Sequence, residues 1–137
     1  MKPASPFAKT RRDHLTETAE DYVEAIEDIL EEQPECRVKD LARRMEVSHV
    51  TVTRILQRLA GEGLIDKEPY GPCTLTSDGL LMARRSRNRH DIVLAFLLAI
   101  GVPESTAIYD AEGIEHHVST DTLTAMRNLV ALHRANK

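Results

Sequence analysis

The sequence predicts a mainly α fold with one small β-hairpin: an N-terminal winged helix-turn-helix followed by a helical C-terminal region. Three observations predict it. Apolar residues recur at helical spacing along most of the chain. Two of the resulting helices are joined by only a few residues. A turn rich in Pro and Gly, set between two short apolar stretches, directly follows the second of them. The 137 residues suit one domain or two small ones. The pattern divides into a mobile arm at 1–15, a winged helix at 16–76 and a helical domain at 77–137.

Met1 to about Arg12 is polar, holds Pro3 and Pro6 and shows no period, so an irregular arm is expected. Thr16 can cap a helix to about Glu32, with Tyr22, Val23, Ile26, Ile29 and Leu30 on its apolar stripe and Pro34 marking its end. Val38–Met45 reads as a short second helix. After a tight connection through Glu46 and Val47, Ser48 caps a third helix to about Glu62, with Gly61 and Gly63 at its end. Val52, Ile55, Leu56 and Leu59 form its buried stripe. Leu64–Lys67 and Cys73–Leu75 can pair across Glu68-Pro69-Tyr70-Gly71-Pro72, which makes a wing. A long helix from Thr76 or Ser77 to about Ile100 follows, then Pro103–His117, then a last helix at about Asp121–Arg134 capped by Ser119 or Thr120.

Aromatics make up 4% of the chain and Trp is absent, so the core must be aliphatic. The longest apolar run, Ile92–Ile100, is too short to span a bilayer, and no secretory signal is visible. A cytoplasmic protein with no membrane partner is expected. Cys36 and Cys73 lie far apart in sequence without a CxxC, which fits a reducing compartment and gives no sign of a zinc site or disulfide framework. The net charge of -4 argues against a nucleic-acid partner until its distribution is read. Glu17 to Glu35 holds nine acidic residues and no Lys or Arg, whereas Arg37 to Lys67 holds seven basic and four acidic residues. The basic block coincides with the helix-turn-helix. Arg84, Arg85, Arg87 and Arg89 form a further basic cluster, and Glu104 to Asp121 is acidic again.

The second helix of a helix-turn-helix enters the major groove with its N-terminal residues near base edges. Here these are Ser48, His49, Val50 and Thr51, followed by Thr53, Arg54 and Gln57. Arg can hold guanine, Gln adenine, and Val the thymine methyl. Arg43, Arg44, Arg58 and Lys67 are better placed for phosphates. Double-stranded operator DNA is the expected partner; a helix-turn-helix used only for protein contact is the bland alternative.

Six residues have the chemistry of metal ligands: Asp21 and Glu24, His90, and Glu112, Glu115 and His116. Spacings of i, i+3 and of i, i+3, i+4 place each group on one helical face. Alone, Asp21 and Glu24 read as solvated acids and His90 as a satisfied histidine. The last three, with no neighbouring Lys or Arg, are harder to explain structurally. His117 points about a quarter turn away and reads as a hydrogen-bonding residue outside the ligand set. Converging carboxylates repel unless a cation lies among them. Four carboxylates and two imidazoles suffice for two divalent ions per subunit. Their oxygen-rich character favours Mn(II), with Fe(II), Co(II) or Zn(II) as substitutes. No organic cofactor is suggested. A metal-independent winged-helix regulator and a dinuclear-metal hydrolase remain alternatives; against the second, the chain shows no evident nucleophile and no Gly-rich phosphate loop.

The segments Glu20-Asp21-Tyr22-Val23-Glu24, Arg89-His90 and Asp110-Ala111-Glu112-Gly113-Ile114-Glu115-His116-His117 resemble the manganese-responsive branch of the diphtheria toxin repressor family. The resemblance runs from about Thr16 onward. It implies a homodimeric, metal-activated transcriptional repressor with an N-terminal winged helix and a C-terminal helical dimerisation domain, not an enzyme. It further implies that Asp21, Glu24, His90, Glu112, Glu115 and His116 bind metal and that the targets serve manganese transport. The iron-responsive branch has Met and Cys where this chain has Asp21 and Glu112, which supports manganese. With the sequence ending at Lys137, the additional C-terminal domain of the longer iron regulators is not expected. Ile92, Val93, Phe96 and Leu97 suit either a dimer face or an intramolecular core.

Overall fold

The computed structural model describes residues 5–136, with residues 10–14 described by their backbone alone. The described chain runs α1 (Pro6–Glu32), α2 (Val38–Met45), α3 (His49–Gly61), β1 (Ile65–Lys67), β2 (Cys73–Leu75), α4 (Ser77–Ala99), α5 (Glu104–Ile114) and α6 (Thr120–Ala135). No described helix is long and apolar enough to cross a membrane. The chain divides into two compact units. The central unit is Thr18–Arg85; the terminal unit comprises the described residues up to Glu17 together with those from Ser86 onward. Both boundaries fall inside helices, α1 and α4, and not at the loop-like positions where composition changes.

The irregular arm expected at 1–15 is corrected from Pro6 onward, where α1 has already begun; residues 1–4 lie outside the described part. Ser5 caps this helix by accepting from the Ala8 N–H at 3.1 Å, and Pro6 takes the first helical position, where a missing N–H costs nothing. Thr16 is therefore internal to the helix. Among the described side chains before Thr16, Phe7 and Leu15 are exposed and give no buried stripe for periodicity to report.

Elsewhere the local signals decide the elements. The Arg37 N–H donates to Asp40 Oδ2 at 2.9 Å at the start of α2, and Glu46 ends it in the left-handed region at φ 57°. Ser48 accepts from the Thr51 N–H at 3.1 Å and starts α3. In the wing, Ile65 faces Leu75, Asp66 faces Thr74 and Lys67 faces Cys73 in an antiparallel ladder. The core of the central unit joins Tyr22, Val23, Ile26 and Ile29 of α1 to Leu41 of α2 and to Val52, Leu56 and Leu59 of α3. Each of these larger side chains contributes roughly 1.5–3 kcal/mol by leaving water. The core of the terminal unit is smaller: Val93, Leu97, Ala107 and Ala111, with Phe96, Leu123 and Met126 packed on it. Val93 and Leu97 are thus used within the chain.

The entry to α4 depends on a close approach. Thr76 Oγ1 donates to the Gly63 carbonyl at 2.7 Å and accepts from the Gly79 N–H at 3.1 Å. This draws the first turn of α4 onto Leu64, where a Cβ on Gly79 would collide with the Leu64 carbonyl oxygen. Gly79→Ala is expected to destabilise the protein by about 2 kcal/mol or more, because the obstruction is backbone and cannot rotate away. Urea unfolding of the variant beside the parent measures this; equal midpoints would show that the α4 entry yields freely.

Candidate metal centre and nucleic-acid interface

In the terminal unit, α4 presents His90, and the end of α5 presents Glu112, Glu115 and His116. The expected helix through His117 stops at Ile114. The Glu115 N–H still bonds to the Ala111 carbonyl at 3.0 Å, but the His117 N–H takes the nearer Ile114 carbonyl, also at 3.0 Å. The last ligand candidates therefore sit on a tightened turn that continues the helix for one residue. This turn places Glu115 and His116 inside the protein, 1% and 4% exposed, and leaves Glu112 on the surface.

The arrangement around Glu115 is specific. Its Oε2 lies 3.0 Å from His90 Nδ1, and its Oε1 lies 3.3 Å from His116 Nε2. Glu112 Oε1 lies 3.6 Å from the same His90 nitrogen. A buried carboxylate thus has an imidazole at each oxygen, and one of those imidazoles also meets a second carboxylate. Ligand atoms of His90, Glu112 and Glu115 all lie within 4.8 Å of one another. Neighbouring ligand atoms around an octahedral ion of the Mg(II)–Mn(II) class are about 3 Å apart, so these separations suit a shared cation. The donor set of oxygens with a minority of imidazole also fits.

Asp21 and Glu24 lie in the stretch of α1 belonging to the central unit. Both are half-buried, and one Glu24 oxygen is fully shielded from solvent. Their neighbours on the helix, Tyr22 and Val23, are in the core of that unit, so the position of these two acids is tied to it. Burial, and next the Asp21 charge, push the Tyr22 hydroxyl pKa above its ordinary value, keeping it neutral.

One residue escaped the sequence reading. Glu17 Oε2 lies 3.3 Å from His117 Nε2, and a Glu17 carboxylate oxygen comes within 4.8 Å of a His116 ring nitrogen. The signal was available: Glu17, Asp21 and Glu24 follow i, i+4, i+7, one face of α1. What the spacing could not report is that His117 lies opposite Glu17 in the fold. His117 has its partner in Glu17, and its carbonyl accepts from Lys9 Nζ at 2.9 Å.

In the central unit, α3 buries Val52, Leu56 and Leu59 and exposes His49, Val50, Thr53, Arg54 and Gln57, with Val50 72% exposed. Ser48 and Thr51 are partly engaged with each other, hydroxyl to hydroxyl at 2.9 Å. A groove of about 640 Å³ runs between α3, the start of α2 and the wing, and its polar wall includes Arg37, Lys39, His49, Gln57 and Lys67. Arg37, Lys39 and the fully exposed Tyr70 at the wing tip were not singled out from sequence. Arg43 is exposed on α2. Arg44 faces Asp28 and Glu32 of α1 at 3.4 and 3.6 Å, and Arg58 faces Glu62 at 3.2 Å, so both already have carboxylate partners.

Comparison with known proteins covers nearly all of this chain. Residues 14–72 match the family described as iron dependent repressor, N-terminal DNA binding domain, and residues 76–134 match its metal binding and dimerisation domain. The transcriptional regulator MntR of Escherichia coli O6:H1 is 46% identical over 129 residues, which cover 94% of this chain and 83% of that protein. An HTH-type transcriptional regulator MntR from Bacillus subtilis is 36% identical over 115 residues, 84% of this chain and 81% of that one. A solved structure described as a manganese-dependent transcriptional repressor in complex with manganese superposes with a TM-score of 0.73 at 30% identity. That match covers 82% of this chain and 52% of the other, so the chain spans about half the length of that structure.

Proposed function

The chain belongs to the iron dependent repressor family, and we propose that it is a homodimeric, manganese-responsive transcriptional repressor, not an enzyme, that binds operator DNA of manganese transport genes. The observation that carries the metal reading is Glu115, 1% exposed, with one oxygen at His90 and the other at His116. Burying a carboxylate costs several kcal/mol unless cationic partners compensate. Glu115, with an imidazole at each oxygen, would hold Mn(II) together with His90 and His116, and the six candidates would suffice for two ions per subunit. Asp21, Glu24, His90, Glu112, Glu115 and His116 are the proposed ligands.

Bound Mn(II) would supply the positive charge that lets these carboxylates converge. The chain's own residues do the rest. Asp21 and Glu24 sit on the face of α1 opposite its buried stripe, so holding them holds the helix on which α2 and α3 pack. His90, Glu112, Glu115 and His116 belong to the unit matching the metal binding and dimerisation domain. Holding both groups of residues restricts the two reading helices of a dimer towards one separation, about 34 Å for half-sites one DNA turn apart. Without the ion, repulsion among the acids widens the range of arrangements, and operator binding then carries an ordering cost. Oxygen donors favour Mn(II) by hardness, while raw affinity rises towards Co(II) and Zn(II), so these and Fe(II) are proposed as weaker physiological substitutes. Acting on chromosomal DNA places the protein in the cytoplasm.

Two outcomes test this reading. Operator affinity, measured by fluorescence anisotropy with chelator and with Mn(II), is expected to rise at least tenfold with the ion; equal affinity would refute metal activation. On the DNA side, Arg54→Ala is expected to cost about 1–3 kcal/mol on the preferred operator and to relax sequence preference. Arg43→Ala should weaken all sequences alike and reduce the salt dependence by about one phosphate contact. Competition between matched and scrambled operators over a salt series separates these behaviours.

A further inference from the structure

The two cysteines, far apart in sequence, are neighbours in the central unit. Cys36, in the connection between α1 and α2, pairs with Cys73 of the wing in an isolated antiparallel bridge. The Cys73 N–H donates to the Cys36 carbonyl at 2.9 Å. Both are free thiols, 0% and 1% exposed. Sequence separation said nothing about a strand that returns to pair beside the helix connection.

We propose that Cys36 and Cys73 are a redox modification site, closing reversibly to an intrachain disulfide that staples the wing to the start of the helix-turn-helix. Residues opposite each other in an antiparallel pair have Cα atoms about 4.5–5.5 Å apart, inside the range of about 4.4–6.8 Å that a disulfide requires. The backbone is already tied on both sides of the pair. Arg37, next to Cys36, donates from its guanidinium to the Tyr70 carbonyl at 3.4 Å, and β1 pairs with β2 through Lys67 and Cys73. Closing the bond needs rotation of two short side chains, not movement of α3.

The surroundings distinguish the two sulfurs. The hydrogen bond to Cys73 and then burial raise the Cys36 thiol pKa far above its ordinary value, and Asp40 adds to this. The hydrogen bond from Cys36 lowers that of Cys73, with a smaller contribution from the Lys67 charge, against the opposing effect of burial. Lys67 is the ladder partner of Cys73, so its charge favours a thiolate there, and Cys73 is assigned as the attacking sulfur. With hydrogen peroxide as oxidant, the Cys73 thiolate attacks a peroxide oxygen and the O–O bond breaks. This leaves a sulfenic acid and hydroxide, which takes up a proton to become water. The Cys36 sulfur then attacks the sulfenic sulfur, giving up its proton as the hydroxyl leaves as a second water. Two thiols are oxidised and one peroxide is reduced. Both sulfurs are buried, so access requires local opening of the three-residue hairpin, and oxidation is slow but confined to this pair.

The test treats the full-length protein with hydrogen peroxide, alkylates it under denaturing conditions and maps its peptides. The expected product is a monomeric chain lighter by two hydrogens, with Cys36 and Cys73 in one linked pair that dithiothreitol reopens. Its Tm should rise by on the order of 5–10 °C, and its operator affinity should stay within threefold. Cys36→Ser and Cys73→Ser should each abolish the linked pair; the wild-type peptide map decides the matter if either variant fails to fold. Alkylated thiols at both positions after a dose that oxidises the urea-unfolded chain would overturn the proposal. So would disulfides between chains, separately over-oxidised cysteines, or operator binding lost on oxidation.

Discussion

A carboxylate removed from water must face positive charge, and Glu115 faces two imidazoles from different parts of the terminal unit, His90 on α4 and His116 on its own turn. The other features of the site follow from this requirement. The turn after α5 tightens so that consecutive residues Glu115 and His116 both point inward, and α4 must pass close enough for His90 Nδ1 to reach. Glu112, exposed, completes the second contact of His90.

The DNA-reading side depends on a different constraint. α3 can present Arg54, Gln57 and Thr53 outward because Val52, Leu56 and Leu59 hold its other face in the core, and Ser48 sets where the helix begins. α1 contributes its apolar stripe to that same core. It also carries Glu17, Asp21 and Glu24 along one face. The Cys36–Cys73 bridge and the Arg37–Tyr70 contact fix the wing against the helix connection in the same unit.

Much of this was legible in the sequence where local chemistry decides the outcome. Ser48, Ser119, Pro103 and the wing turn gave element boundaries within a residue or two, because capping and turn preferences are short-range. Glu112, Glu115 and His116 could be singled out because they fall on one helical face with no Lys or Arg beside them, and the structure brings ligand atoms of Glu112 and Glu115 within 4.8 Å of His90. Two features were not legible, for one reason. The Glu17–His117 contact and the meeting of Cys36 with Cys73 are settled by tertiary neighbours, which no periodicity reports; the start of α1 at Pro6, by contrast, rests on the local cap of Ser5. Val93 and Leu97 show the same limit: their apolar character is evident, whereas their use inside the terminal unit depends on α5 and α6 lying over them.

The proposal that Glu115 holds Mn(II) together with His90 and His116 is tested most directly by anomalous diffraction from crystals of the full chain grown with Mn(II). The expected result is manganese density bonded to Glu115 and to the His90 and His116 rings, lost in Glu115→Gln crystals of the same fold. Well-ordered side chains at these three positions with no manganese among them, at saturating ion, would contradict it.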